Sequence, residues 1–192
     1  VGMAIVLVSV PFVLWDIWAA ANAHWFFSSV YITSPRYFGL PFEEILFFVT
    51  VPFAMCFVWD VLAKYIPNKP VSDVLAATGI SLFSLASILL LLAQWSRGYT
   101  RSAAIASAFA LAVIIASGWW RRNRFWWFQL VLFAIFFIAN TFLTALPVIT
   151  YGEGSAIGYR IGTIPLEDFL FNFALINLFV ITYDYFCRKT SN

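Results

Sequence analysis

Two short stretches place paired acidic side chains at the mouths of apolar runs: Leu40-Pro41-Phe42-Glu43-Glu44-Ile45-Leu46-Phe47 and Ile164-Pro165-Leu166-Glu167-Asp168-Phe169-Leu170-Phe171. Ionised carboxyls are costly where water is scarce, so acids placed there need a chemical reason. Proton transfer is the chemistry that suits them. A carboxylic acid can donate a proton near neutral pH only if it is still protonated there, and burial in hydrocarbon favours that form. A second carboxyl alongside strengthens the effect, because charging both is disfavoured. Glu43 and Glu167 are the preferred proton donors or acceptors, with Glu44 and Asp168 as coupled partners. Arg36 and Arg160 precede Glu43 and Glu167 by seven residues and are placed to hold one partner ionised as a base. In a single copy, Pro41 or Pro165 at the first helical position followed by acids reads as an ordinary helix start. Two copies with Arg at the same spacing favour a shared site.

The repetition extends beyond the motif. A constant offset of 124 residues carries 11–64 onto 135–188 without a gap, with eight identities in 54 positions. The identities include Arg36 with Arg160, Pro41 with Pro165, Glu43 with Glu167 and Asp60 with Asp184, in a chain where charge is scarce. Asp16 with Asn140, Glu44 with Asp168 and Lys64 with Arg188 are conservative pairs. This is an internal duplication. Asp16 lies deep in its apolar run, where an acid is functional by default. Its counterpart Asn140 cannot ionise, so the two are assigned a supporting role, as are Arg36, Arg160, Pro41 and Pro165.

The chain that must position these groups has 192 residues, 63% of them apolar and 10% charged, with a mean hydropathy of +0.90. Such a composition excludes a soluble domain of this size. Runs near Gly2 to Ala21, Phe42 to Leu62, Val74 to Trp95, Ser102 to Trp120, Phe125 to Leu146 and Leu166 to Phe186 are each long enough to cross a bilayer as a helix. The short-period alternation of a membrane barrel is absent. The expected fold class is all-α integral membrane, with six visible transmembrane helices in two parallel-orientation repeats joined by a linker helix. Residues 1–72 form the first repeat, 73–101 the linker and 102–192 the second repeat. Subtracting the offset from the run at 102–120 points upstream of residue 1, so the first helix of the first repeat is expected there. The complete arrangement is three plus one plus three, with both acidic motifs facing each other at one depth.

Lys64, Lys69, Arg121, Arg122, Arg124, Arg188 and Lys189 fall on one side and Arg36, Arg97, Arg101 and Arg160 on the other. Seven against four puts the first set in the cytoplasm. The net charge of +2 is accounted for by this bias, so no nucleic-acid partner is expected. Cys56 and Cys187 lack metal-ligand spacing, and no metal site is expected. Asp60 and Asp184 read as interfacial acids beside Lys64 and Arg188, and the solitary His24 as an interface residue.

The stretches Trp15-Asp16, Gly39-Leu40-Pro41-Phe42-Glu43-Glu44-Ile45-Leu46-Phe47-Phe48 and Arg160-Ile161-Gly162-Thr163-Ile164-Pro165-Leu166-Glu167-Asp168-Phe169 resemble the membrane-integral carotenoid cyclases, chiefly the fused form of the two-subunit lycopene cyclases. The resemblance covers nearly the whole chain. It implies a redox-neutral isomerase that closes the linear end of a carotenoid such as lycopene into a six-membered ring, in the cytoplasmic membrane of a prokaryote. The chain departs from the pattern where Asn172 stands in the second repeat at the place of Phe48.

The chemistry agrees with the resemblance. Cyclising a polyene end needs a proton delivered to an alkene carbon, a stabilised cation and a base; no electron leaves, so no cofactor is expected. Aromatic faces attract cations, and 22 Phe, 9 Trp and 8 Tyr are available. A proton-coupled small-solute transporter would also use repeats and intramembrane acids, but the motifs lie near one membrane face. A retinal-binding protein would need a lysine in the run at 166–186, which has none. Gly158 and Gly162 lack the spacing of a dinucleotide fingerprint, so a flavin-dependent cyclase is not supported. Carotenoid and lipid are the expected partners, and oligomerisation is left open.

Overall fold

A computed structural model of the chain describes residues 1–190 as six long helices with short hairpins between them. The helices are α1 (Gly2–Ala21), α2 (Phe42–Tyr65), α3 (Asp73–Ala93), α4 (Gly98–Ser117), α5 (Asn123–Ala145) and α6 (Leu166–Thr190). All six are long and apolar enough to cross a membrane, which makes the chain a multi-pass membrane protein of the all-α class. α6 is the central column, with 56% of its span buried, whereas α3 has 11% and lies at the periphery. Phe48, Trp59, Ile114, Phe125, Phe128 and Phe179 fill the common core around it.

The helices carry local irregularities with identifiable causes. Ile5–Ser9 forms a π-helical turn just ahead of Pro11, whose ring cannot sit against the preceding turn of a regular helix. Pro52 inside α2 leaves the Phe48 carbonyl without its usual backbone donor. The buried Ser9 hydroxyl donates to that carbonyl at 2.6 Å and joins α1 to α2. Gly118, at φ +70°, ends α4 in the left-handed region, so Trp119–Arg121 form a separate tight turn instead of continuing the helix to residue 120. α4 also starts earlier than the charges at Arg97 and Arg101 suggest. The Arg97 guanidinium donates to the Ala156 carbonyl and the Tyr99 N–H to the Ser155 carbonyl, which draws residues 98–101 into the helix.

The backbone brings together segments that the 124-residue offset equates. The strands β1 (Trp25–Phe27) and β4 (Ile149–Tyr151) occupy equivalent places in the two repeats and pair with each other, Trp25 opposite Tyr151, Phe26 opposite Thr150 and Phe27 opposite Ile149. An offset of 124 maps Phe26 onto Thr150, its own partner, so a pseudo-twofold axis passes through that pair. Each repeat then makes a two-residue hairpin, β2 (Arg36–Tyr37) with β3 (Leu40–Pro41) and β5 (Arg160–Ile161) with β6 (Ile164–Pro165). Both hairpins are closed by the same bond, Phe42 N–H to the Pro35 carbonyl and Leu166 N–H to that of Tyr159.

The symmetry persists at the other end of the bundle. The Trp59 indole donates to Asp184 at 3.2 Å, and the Tyr183 hydroxyl donates to Asp60 at 2.6 Å. Position 59 maps onto 183 and 60 onto 184, so each repeat gives an aromatic donor to the other's acid. These acids join α2 to α6 in addition to any interfacial role.

The connections sort the cations into two ends, as the run order requires. The Asn123 N–H donates to the Lys69 carbonyl and the Lys69 N–H to Asn123 Oδ1, and Pro70 bridges to Arg122. This brings Lys64, Lys69, Arg121, Arg122 and Arg124 to one end; the side chains of Arg188 and Lys189 lie outside the described residues. At the opposite end Gly152 packs so closely on the Ala23 carbonyl that a Cβ would overlap it. His24 lies in the same layer, where burial and then the Arg101 charge lower its pKa and leave the imidazole neutral.

Candidate active site

A cavity of about 100 Å³ lies where the repeats meet, under the β1–β4 ribbon. Its walls come in repeat-related pairs: Glu44 with Asp168, Asp16 with Asn140, Phe47 with Phe171, Phe48 with Asn172 and Trp25 with Ile149. The cavity therefore straddles the pseudo-twofold axis. One residue of each acidic pair, from the first turns of α2 and α6, reaches it.

Asp168 is the organised acid. The Tyr99 hydroxyl donates to its Oδ1 at 2.6 Å, while the Tyr151 hydroxyl at 2.6 Å and the Asn140 amide at 3.0 Å donate to its Oδ2. Three donors on one carboxyl suit its ionised form. Tyr99 and Tyr151 stack with ring centres 5.7 Å apart, which fixes both hydroxyls. Burial, and next the Asp168 charge, push the Tyr151 phenol well above its ordinary pKa, so it remains a donor. The Arg160 guanidinium lies 5.5 Å from the centre of the Tyr151 ring and donates to the Thr163 carbonyl at 2.5 Å. It reaches Asp168 through that tyrosine and not by direct pairing.

The first repeat differs at the equivalent places. Asp16 stands where Asn140 does and Phe27 where Tyr151 does, so Glu44 faces a second acid in place of an amide and lacks the hydroxyl. Asp16 is buried with the Trp25 indole beside it, and its Oδ2 has no hydrogen-bond partner. Trp15 Nε1 and Asn172 Nδ2, on the same walls, are likewise unpartnered. Two carboxyls and two free donors thus face the apolar interior beside Asp168, an arrangement with protons to give and acceptors to receive them.

Glu43 and Glu167 occupy the other position of each pair and point away from the cavity. The exposed Glu43 accepts a bond from the Ser34 hydroxyl, whose oxygen in turn receives the Phe42 N–H at 3.2 Å. Glu167 is buried and its Oε1 accepts from the Thr100 hydroxyl at 2.5 Å and the Ile157 N–H at 2.6 Å. Both hold the strap before the hairpin against the helix start. Because Thr100 follows Tyr99, the Glu167 bond also sets the height at which Tyr99 meets Asp168. Pro41 and Pro165 sit in the last strand position, opposite Arg36 and Arg160 across the hairpin, where their fixed φ feeds the chain into α2 and α6. Arg36 donates to the Phe27 carbonyl at 3.0 Å, a bond that ties its hairpin to β1.

The geometry brings together Asp16, Glu44, Asn140 and Asp168 at one cavity, and it puts Arg36, Arg160, Pro41, Pro165, Glu43 and Glu167 in the frame around it. Sequence reasoning missed Tyr99 and Tyr151. Tyr151 had a signal, since it replaces Phe27 in the repeat alignment; Tyr99 had none, because it lies outside the two aligned segments, 11–64 and 135–188. Among the described residues no three His, Cys, Asp or Glu side chains converge as a metal site would need.

A family model described as lycopene cyclase matches residues 2–62 and 96–186, which is most of the chain and includes every residue of the cavity. No curated protein and no solved structure matches it.

Proposed function

The chain belongs to the lycopene cyclase family, and on that premise we propose that the central cavity closes the linear ends of a carotenoid such as lycopene by proton transfer alone. The observation that carries the reading is the convergence of both acidic motifs on one aromatic cavity, with Asp168 held by three donors and Glu44 facing Asp16.

Glu44, neutral and without the donors that serve Asp168, gives its proton to the less substituted carbon of the terminal double bond. The tertiary cation that results is attacked by the far carbon of the first double bond of the conjugated chain, which closes the six-membered ring and leaves the positive charge on the neighbouring ring carbon. Asp168 removes a proton from a carbon adjacent to that charge, and a ring double bond remains. One proton enters and one leaves, so product and substrate are isomers and neither flavin nor nicotinamide is consumed. Asp16, on the same cavity, supports Glu44 and offers a route for returning the proton. Trp15, Trp25, Phe47, Phe48 and Phe171 present π-faces to the cation. Water excluded from such a wall cannot capture it. The enzyme belongs to the intramolecular lyases, and its basic end faces the cytoplasm in the cytoplasmic membrane of a prokaryote.

Expression in bacteria that accumulate lycopene tests this reading. Cyclic carotenes should replace lycopene in the pigment extract; lycopene left unchanged by a protein present in the membrane would contradict it, and would leave the transporter and pigment-binding alternatives.

A further inference from the structure

Beside the acidic cavity lies a second space of about 330 Å³, open on the outer surface of the bundle between α1 and α4. Phe12 and Trp15 of α1, Ile105, Ala106 and Phe109 of α4, and Phe171 of α6 line it, and no polar atom faces it. Ile105 and Phe109 are exposed on the side that meets the bilayer. Two residues, Trp15 and Phe171, border both this groove and the acidic cavity. Their rings stack at 4.9 Å, and Phe12 meets Phe171 edge-on at 5.3 Å. A wall one side chain thick separates hydrocarbon from the acids.

The acidic cavity is too small for more than the reacting end of a long polyene, so the rest of the molecule needs a path that exposes no charge. The groove between α1 and α4 adjoins the cavity and is wholly apolar and aromatic on both flanks, features suited to a flat conjugated chain. A conjugated chain can stack on those ring faces, which a saturated lipid tail cannot. We propose that the groove binds the conjugated tail of the substrate and admits it sideways from the bilayer, with Trp15 and Phe171 directing the end group past them to Glu44 and Asp168. This subsite rests on the cyclase reading for the identity of its ligand, and its test is separable from that reading.

Binding is measured on the purified protein in lipid nanodiscs, from the change in the lycopene absorption band on titration, alongside turnover by the wild type. Ala106→Phe fills the groove and should weaken lycopene binding at least tenfold. Phe109→Ala removes an exposed ring that takes no part in the core and should weaken it by about three- to tenfold, the equivalent of one aromatic contact. Neither residue touches Glu44 or Asp168, and Leu130→Ala, at another lipid-facing position, should leave binding unchanged. Wild-type affinity in both groove variants would overturn the subsite whether or not the protein turns lycopene over. Absent turnover in a wild type whose binding depends on the groove would overturn the cyclase reading alone.

Discussion

Replacing Asp168 by Asn should leave the helices intact and cut ring formation by about 10²–10⁴-fold, the range expected when a positioned acid or base is lost. The amide matches the carboxylate in shape but cannot accept a proton from the ring cation. It also disturbs the donors built around the acid: Tyr99, Tyr151 and Asn140 all point at Asp168 oxygens, and the substituted amide would turn an N–H₂ towards some of them. Activity measured on membranes normalised for protein content checks the expectation. Activity within a few-fold of wild type would remove Asp168 from the reaction.

The second large effect is a contrast between neighbours. Glu44→Gln should lose turnover by a similar 10²–10⁴-fold, because the proposed mechanism takes its first proton from that carboxyl, whereas Glu43→Gln should retain most of it. Glu43 is exposed and engaged with Ser34, outside the cavity, and an amide can still accept that bond. Parallel pigment analysis of the two variants in a lycopene-accumulating host decides between them. The reverse ranking would show that the acid acting on the substrate is the one the helix turns outward.

The membrane class and the six spans were legible in the sequence because each depends on sustained hydropathy over many residues, and the offset that equates the two acidic motifs because rare charges recur in register. That both acidic motifs meet was legible for the same reason. Which acid of each pair enters the cavity was not. Successive residues of a helix differ by about 100° in direction, and the rotation of α2 and α6 is set by the hairpins ahead of them, whose strands are two residues long and carry no period. The hairpins themselves went unread, since Arg36 and Arg160 suggest charge pairing and instead bond to backbone carbonyls. Tyr99 was hidden for a related reason. Arg97 and Arg101 mark the segment as a polar connection, while the structure satisfies Arg97 on the Ala156 carbonyl and extends α4 through Tyr99 and Thr100. The Asp16–Asn140 pair, which looked like a reason to doubt a catalytic role, is one of the differences between the two halves of the cavity: an acid stands beside Glu44, and an amide donates to Asp168.

The central claim is that a cavity carboxyl supplies the proton that begins cyclisation. Turnover of lycopene by the purified protein in heavy water tests it most directly, because carboxyl protons exchange with solvent and alkene hydrogens do not. With no added cofactor, mass spectrometry and NMR of the product should find one deuterium per ring, on the carbon next to the gem-dimethyl group. Rings that form without deuterium at that carbon, in a reaction that consumes reduced nicotinamide stoichiometrically, would contradict the account.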